Sequence, residues 1–375
     1  MGKRFLLVTE EWAGSGHRMA ALALEEAVRY GGGGTLSAKV VGGLETASPA
    51  LRELSRLFYM GMLRHAPLLW QRLYEGERLW GATLKRPLAW WLSQTLTEQL
   101  LRVEQPDVVV ATHAYCLSAL AMAKKKMDKP FHLVSVPTDY HINPFWVHPE
   151  IDSYIVAHQQ LADVLESDFG VRPDAIRVFG IPVRPVFHEA GKRDKSYWKR
   201  QLGLSPEPFT VLISGGEGGR GGMEQVVREL AEMEEPLQII VITGNNSALY
   251  HRLTEWASRR ASQHRFVMKG YEPQIWQWIG AADAYVSKPG GISCAEALAL
   301  KTPLILYQPL PGQEWKNCAF LLKHGAAVLA ERPEEIRETI GRWRVREEWE
   351  HAVEQMEPLR RPESARQIAE YLLRV

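Results

Sequence analysis

The residues best suited to bind a ligand in this 375-residue sequence lie between Ser287 and Asn317. Within this stretch the glycine pair Gly290 and Gly291 interrupts an apolar run, and Ser293 and Glu296 follow at capping-box spacing. The pattern predicts a glycine turn and then a helix that starts at Ser293. Free backbone N–H groups and the positive end of the helix dipole suit an anion such as a diphosphate.

A polar loop follows the next predicted strand, residues 304–307, and extends from Gln308 to Glu314. Its last two side chains, Gln313 and Glu314, can bind hydroxyl groups at the carboxyl end of a strand, where ligands enter open α/β sheets. A phosphate site beside a hydroxyl-binding loop suggests a nucleotide-sugar. The alternative is a turn whose glycines only shape the backbone.

A histidine lies at the mouth of the first predicted strand-to-helix loop. Gly14 and Gly16 precede His17, but Met19 stands where a dinucleotide fingerprint requires a third glycine. His17 is therefore either a solvated residue at the start of a helix or a general base. Its imidazole titrates near neutrality, and a helix N-terminus lowers the pKa of such a ring, which keeps the ring able to accept a proton.

Other polar side chains follow predicted strands in the first half of the chain. His113 and Tyr115 follow the strand at 108–112, and Asp139 follows the strand at 131–136. Asp139 is either close to a ligand or caps its own loop. The histidines and aspartates that come after it match no standard metal-site spacing, so we expect no metal.

The segment from Leu51 to Arg102 differs from the rest of the chain because aromatic and basic residues alternate in it. The residues that we expect to contact the acceptor or the membrane are Trp70, Arg72, Trp80, Arg86, Trp90 and Trp91. Amphipathic helices with aromatic residues and an excess of basic residues suit an anionic membrane surface. The alternative is a pair of helices packed on the domain core.

Predicted strands alternate with helices in both halves, which indicates an α/β fold with two parallel, doubly wound sheets. A second glycine-rich turn, 215–222, follows a strand in the second half, and a proline-containing connection at 181–187 marks the domain boundary. The net charge of +1 gives no argument for nucleic acid binding. Three cysteines without metal-ligand spacing indicate a reduced, cytoplasmic chain.

These segments, in this order, resemble those of family 28 glycosyltransferases. The residues KPGG, the glutamate that follows them and PGQE resemble the donor-site signature of that family. The residues GSGH, VPTDYHINPFWVHPE and GIPVRP resemble the subgroup of monogalactosyldiacylglycerol synthases and bacterial diacylglycerol glucosyltransferases. The resemblance covers the chain from Gly14 to about Ala330.

The resemblance implies a GT-B fold, with two Rossmann-like domains facing a central cleft. The N-terminal domain, 1–186, is expected to bind the acceptor and to touch the membrane. The C-terminal domain, 187–353, is expected to bind the nucleotide-sugar. A final helix, 354–375, is expected to cross back to the N-terminal domain.

The resemblance also implies roles for single residues. His17 matches the base, Asp139 matches an aspartate near the reacting centre, and Glu296 matches the group that holds the ribose. The expected nucleotide-sugar contacts are Gly215, Gly216, Tyr271, Gly290, Gly291, Ile292, Glu296, Gln313 and Glu314. Tyr271 lies where backbone groups hold the uracil, and the glycines lie at the diphosphate.

The implied activity is an inverting, metal-independent transfer of a hexose from a UDP-sugar to a lipid, with the hydroxyl of diacylglycerol as the acceptor. We expect no cofactor besides the UDP-sugar, and a peripheral location at the inner face of the cell membrane. One alternative is a UDP-GlcNAc transferase that uses a polyprenyl-linked or other lipid acceptor. Others are a sugar-nucleotide epimerase on the same fold and a catalytically silent lipid sensor. The sequence leaves the sugar, the number of sugars added and the oligomeric state open.

Overall fold

The structure, a computed structural model, describes residues 2–10, 15–31, 36–48, 50, 53–55, 57, 61 and 89–375. The chain divides into two units. The first consists of Met1–Pro185, Pro311–Gln313 and Glu363–Val375, and the second of Val186–Leu310 and Glu314–Pro362.

The first unit holds a six-stranded parallel sheet. Its strands are β1 (Arg4–Thr9), β2 (Ser37–Gly42), β3 (Val108–Ala111), β4 (His132–Ser135), β5 (Ser153–Val156) and β6 (Ile176–Val178). They lie in the order β2-β1-β3-β4-β5-β6. The described helices between them include α1 (Gly16–Gly31), α2 (Gly43–Ala47), α3 (Ala114–Lys124) and α4 (Gln159–Phe169). Helical residues also cover 89–96, Thr97–Leu101, Arg102–Glu104, Pro144–Trp146 and Pro173–Ala175.

The second unit repeats this plan. After α5 (Val186–Ala190) and α6 (Lys195–Gln201), its first three strands are β7 (Phe209–Ser214), β8 (Leu237–Ile242) and β9 (Arg265–Lys269). The next three are β10 (Ala284–Ser287), β11 (Leu304–Tyr307) and β12 (Ala327–Ala330). The order is β12-β11-β10-β7-β8-β9, and every pairing is parallel.

The helices of the second unit follow its strands in turn. They are α7 (Met223–Leu230), α8 (Ser247–Ser258), α9 (Ile275–Ala281), α10 (Gly291–Ala299), α11 (Gln313–Lys323), α12 (Pro333–Trp343) and α13 (Arg346–Met356). A short turn at Glu357–Leu359 precedes the last helix, α14 (Ser364–Arg374). Glu363–Val375 belongs to the first unit, whereas residues 354–362 belong to the second.

The strand order of each sheet reverses at one place. In the first unit β2 lies on one side of β1 and β3 on the other, so the loops that follow β1 and β3 diverge. In the second unit β8 and β10 flank β7 in the same way. Ligands of open α/β sheets bind at the carboxyl ends of strands beside such a reversal. The loops after β1, β3, β7 and β10 are therefore the places to look for a site.

Burial of one face of α1 fixes the helix against the first sheet. Ala20, Leu24 and Val28 are buried, as their spacing predicts. Ile368 and Leu372 of α14 belong to the same apolar cluster. The start of α1 is thereby held at the carboxyl end of β1.

Two predictions about the segments that follow β10 and β11 are wrong. Helix α10 begins at Gly291, and its N-cap residue Gly290 makes no side-chain capping bond. Ser293 therefore lies inside the helix and forms no capping box with Glu296, because glycine is itself an acceptable N-cap and the helix starts two residues earlier. The pair Gln313–Glu314 forms the first turn of α11 instead of ending a loop. An acidic residue is favourable in a first turn, beside the positive end of the helix dipole.

Candidate active site

His17 lies at the start of α1, with its side chain turned into the first unit. Its ring atom Nδ1 is 2.9 Å from the carbonyl oxygen of Thr112 and 2.8 Å from Oγ1 of Thr138. The hydroxyl of Thr112 in turn donates to the carbonyl of His17, at 2.9 Å. A carbonyl oxygen can only accept, so Nδ1 carries the proton. In the neutral ring Nε2 then holds the lone pair, so Nε2 is the atom that can accept a proton.

The electrostatic surroundings keep this ring neutral. Burial lowers the pKa of His17 below its usual value, while the negative charge of Asp139 and the hydrogen bond to Thr112 partly oppose the shift. His17 and Asp139 are 8% and 9% exposed, so neither is a solvated residue. The direction of the shift is the one expected for a histidine that acts as a base. Its main cause is burial, which the sequence does not disclose.

An aromatic row continues from His17. The ring of His113 stands edge-on to His17 with 4.7 Å between centroids, and burial together with the nearby His17 lowers the pKa of His113 well below its usual value. His113 stacks on Tyr115 at 5.7 Å, and Tyr115 approaches Phe145 at 6.2 Å. Tyr115 is 38% exposed, whereas His113 is buried. The row therefore leads from the candidate base to the surface.

In the second unit, the turn between β7 and α7 is built so closely that it requires glycine. A Cβ atom on Gly215 would stand 2.0 Å from the carbonyl oxygen of Arg220, and one on Gly219 would stand 2.2 Å from that of Thr243. Positive φ angles occur at Gly216, Gly219, Gly221 and Gly222. These positions explain why the turn contains so many glycines.

Lys288 and Glu314 form a half-buried ion pair beside this turn. The Lys288 ammonium lies 2.9 Å from Oε1 of Glu314, and Oε2 of Glu314 accepts a hydrogen bond of 2.9 Å from the backbone of Leu310. The stem of Lys288 passes 3.0 Å from where a Cβ atom on Gly221 would stand. Sequence reasoning passed over Lys288. The pattern that could have indicated it is a basic residue directly after the end of β10 and shortly before the glycine pair Gly290 and Gly291.

Glu296 lies on α10 and is 8% exposed. Its charge acts on Tyr285 of β10, whose pKa is raised to about 12, chiefly by burial. Hydrogen bonds of Tyr285 with Ser287 and Ser214 oppose that rise. Ser214 and Ser287 end β7 and β10, so Glu296 belongs to a polar cluster where the strand order reverses.

Tyr271 is farther from this cluster. It follows β9, which lies two strands from β7 at the edge of the sheet, and it is 59% exposed. A Cβ atom on the preceding Gly270 would lie 3.7 Å from the carbonyl of Gly244, and Gly244 itself packs against Glu217 of the glycine turn. Another expected nucleotide-sugar contact, Ile292, is buried as the second residue of α10, a helix that follows β10 and not β9. These loops thus connect the region of Tyr271 to the glycine turn.

The residues expected at an acceptor or membrane surface are only partly described. Trp70, Arg72, Trp80 and Arg86 lie outside the described residues. Trp90 and Trp91 are 54% and 37% exposed, within the helical residues 89–96. In the described ranges no helix combines the length and apolarity needed to cross a bilayer.

A cavity of about 580 Å³ lies elsewhere in the second unit, lined by Lys195, Asp283 and Trp349 among others. Asp283 precedes β10, so the cavity is at the amino ends of the strands. It therefore contains none of the predicted site residues.

Comparison with known proteins gives the family. Residues 17–183 match the model of monogalactosyldiacylglycerol (MGDG) synthase, and residues 194–353 match that of glycosyl transferases group 1. The processive diacylglycerol beta-glucosyltransferase of Bacillus licheniformis is 30% identical over 342 residues, which cover 90% of this chain and 86% of that protein. The chain belongs to the family of this diacylglycerol glucosyltransferase. The protein of the same name from Bacillus subtilis is 28% identical over 343 residues, with the same coverage of both chains.

Solved structures agree with this family at the level of the fold. MurG of Acinetobacter baumannii matches with a TM-score of 0.66 at 13% identity, covering 100% of both chains. UDP-GlcNAc 2-epimerase of Neisseria meningitidis matches with a TM-score of 0.61 at 15% identity, covering 99% of this chain and 100% of that one. The predicted GT-B fold with two Rossmann-like domains is confirmed. At such low identity these two likenesses show the fold alone.

Proposed function

We propose that this family member transfers a hexose from a UDP-sugar to the hydroxyl of diacylglycerol, in glycolipid synthesis. Its curated relatives are named as diacylglycerol glucosyltransferases, so UDP-glucose is the first donor to test. The observation that carries the proposal is the buried His17 ring, whose Nδ1 is engaged by Thr112 and whose Nε2 is left to accept a proton. A catalytically silent lipid sensor would have no use for this arrangement.

In the proposed reaction the acceptor oxygen attacks the anomeric carbon of the sugar. A bond forms between that oxygen and the carbon as the bond from the carbon to the UDP oxygen breaks, and UDP leaves with the electron pair. The hydroxyl proton passes to Nε2 of His17. The carboxylate of Asp139 favours the positive charge that develops on the ring, because its negative charge partly opposes the lowering of the His17 pKa by burial.

We further propose that the reaction inverts the anomeric centre and needs no metal. Attack opposite the leaving group turns an α-linked UDP-sugar into a β-linked product, and the relatives' name includes a beta linkage. Backbone N–H groups at the start of α10 and in the glycine turn can carry the charge of the leaving diphosphate. Lys288 can add a cation there if the diphosphate competes with Glu314 for it.

The location that we propose is peripheral, on the cytoplasmic face of an anionic membrane. Two neighbouring exposed indoles, Trp90 and Trp91, support it, because indole rings favour the interface between water and lipid. Replacing both by alanine should lower the affinity for liposomes that contain anionic lipid by about tenfold, as measured by pelleting. Val103→Ala is the control, because Val103 is an apolar residue that is 70% exposed and lies shortly after these helical residues, in Arg102–Glu104. Equal pelleting of the double variant and the wild type would contradict the proposed surface.

The function itself is tested by supplying radiolabelled UDP-glucose, UDP-galactose and UDP-GlcNAc separately, with liposomes of diacylglycerol. A labelled lipid whose sugar is β-linked by NMR, formed equally well in EDTA, is the expected result. Label found only in a sugar nucleotide of changed configuration would support the epimerase instead. Transfer to a polyprenyl phosphate but not to diacylglycerol would support the other lipid-linked alternative.

A further inference from the structure

A strained backbone position lies at the carboxyl end of β11. Gln308 has a φ angle of 48°, in the left-handed region that residues other than glycine rarely adopt. Two other non-glycine residues of the described ranges share this conformation, and both follow helices: Gln105 ends Arg102–Glu104, and Lys301 follows α10. Gln308 instead follows a strand and precedes Pro309, and a proline favours an extended backbone in the residue before it. Residues held in such conformations cluster at ligand sites, so the strain marks Gln308 as a candidate ligand contact.

The side chain of Gln308 lies against the start of α7. Its Nε2 atom is 2.9 Å from where a Cβ atom on Gly222, the N-cap residue of that helix, would stand. Nε2 also donates to the hydroxyl of Tyr307 at 3.2 Å, and this hydroxyl donates to Oε1 of Gln225 on α7 at 3.4 Å. The ring of Tyr307 is buried, so the amide of Gln308 is held from a fixed point in the core.

The amide keeps hydrogen-bonding capacity for a ligand. A carboxamide has two N–H donors and an acceptor oxygen, and the bond to Tyr307 uses one of the donors. Gln308 itself is exposed. Its amide oxygen and second N–H can therefore bind a ligand at the carboxyl end of β11.

The groups proposed to act on the diphosphate lie beside this amide. Gly221 and Gly222 are consecutive residues of the glycine turn; the stem of Lys288 approaches the first, and the amide of Gln308 approaches the second. Lys288 in turn pairs with Glu314, an expected contact of the sugar hydroxyls, at 2.9 Å. A UDP-sugar whose diphosphate lies at this turn would therefore have its hexose close to polar side chains from the ends of both β10 and β11.

We propose that the amide of Gln308 binds a hydroxyl of the donor hexose and takes part in the choice of sugar. This inference rests on the proposed function and adds to it a residue that selects the donor. A sugar hydroxyl both donates and accepts, as the amide does, whereas the ionised oxygens of a diphosphate only accept. Hexoses that differ in the configuration of one hydroxyl direct that group differently, so an amide in a fixed position distinguishes between them.

The test measures the affinity of each variant for UDP and for the UDP-hexose that the wild type uses, by calorimetry without acceptor. Gln308→Leu should weaken binding of the UDP-hexose by roughly threefold to tenfold, the range for loss of one neutral hydrogen bond, and leave the affinity for UDP near that of the wild type. Gln308→Gly should do the same, because glycine adopts the positive φ angle without strain but has no amide. In both variants the ratio of kcat/KM between this donor and the next best UDP-hexose should fall by a similar factor. Gln201→Leu, which changes an exposed glutamine at the end of α6, is the control.

The outcomes separate this inference from the proposed function. Equal losses of affinity for UDP and for the UDP-hexose would assign the amide to the diphosphate and overturn the sugar contact. A loss in the leucine variant but not in the glycine variant would assign the effect to the backbone and overturn it as well. Wild-type affinities and donor preference in both variants would do the same. All three results leave the proposed function standing, since transfer by the wild type is measured separately.

A wild-type enzyme that transfers no hexose to a lipid would overturn the proposed function and this inference with it. Thermal unfolding of each variant, compared with the wild type, shows that the affinities refer to folded protein.

Discussion

Around His17 the candidate chemistry lies in side chains, whereas around the glycine turn of the second unit it lies in the backbone. The ring of His17 is held by Thr112 and Thr138, from the ends of other strands. The turn at Gly215 is held by its own close packing, which leaves no room for a Cβ atom. Both regions occupy the place where the strand order of their sheet reverses.

This difference shows how one fold can serve two tasks. A proton acceptor must be a titratable side chain whose pKa the surroundings adjust, so burial matters most there. A diphosphate site needs several N–H donors at close range, which a backbone supplies only if side chains are absent. Substitutions in the first region should therefore change turnover, and those in the second should change binding of the UDP-sugar.

The largest effect should come from His17→Ala. Without the base, kcat should fall by about 10²–10⁴-fold, while the affinity for UDP-sugar stays near that of the wild type. Steady-state kinetics with labelled UDP-glucose and diacylglycerol liposomes measures both. His251→Ala, which changes an exposed histidine on α8, is the control. A purified His17→Ala enzyme with near-normal turnover would remove His17 from the mechanism.

Gly215→Ala should have the next largest effect, and it should act through binding of the UDP-sugar. The added methyl group cannot fit against the backbone of Arg220, so the turn must move and kcat/KM for the UDP-sugar should fall by about 10²-fold. Gly218→Ala is a close control, since the three atoms nearest to its Cβ atom would all belong to the flexible Arg220 side chain, at 3.4 Å or more. If both variants bind UDP equally well in calorimetry, the backbone of this turn does not hold the diphosphate.

Glu296→Gln should have a smaller effect, again on binding. Loss of a charged acceptor for the ribose hydroxyls should weaken UDP binding by roughly tenfold. Isothermal titration with UDP provides the measurement, and Glu255→Gln changes an exposed glutamate, 61% exposed at its side chain, as the control. Unchanged UDP affinity in Glu296→Gln would assign Glu296 to the polar cluster around Tyr285 alone.

Sequence reasoning singled out both candidate regions, but it did not disclose the contacts that hold His17 in the first one. The glycine turns and the position of Glu296 are local patterns, and the alternation of strands and helices sufficed for two parallel sheets. Thr112 and Thr138 lie 95 and 121 residues from His17 along the chain, so no local pattern connects them. Their partnership depends on strand order, which places β3 beside β1.

The errors in the second unit have a different origin. Capping-box spacing predicts Ser293 as the N-cap, but Gly290 takes that role. The proline and glycine before Gln313 and Glu314 predict a loop there, yet a helix begins at Gln313. In both places local composition was compatible with two boundaries, and packing in the folded unit decided between them.

The pH dependence of kcat/KM on diacylglycerol tests the central claim, a neutral buried His17 that accepts the proton. Because burial lowers the pKa of His17, the ring stays unprotonated at neutral pH and becomes protonated, hence inactive, only as pH falls. We expect kcat/KM to be level near neutral pH and to fall at acidic pH with a midpoint below about 6.5, the ordinary histidine value. That acidic fall should be absent from the residual rate of His17→Ala. A midpoint above the ordinary value, or the same acidic fall in His17→Ala, would contradict a neutral, buried His17 as the proton acceptor.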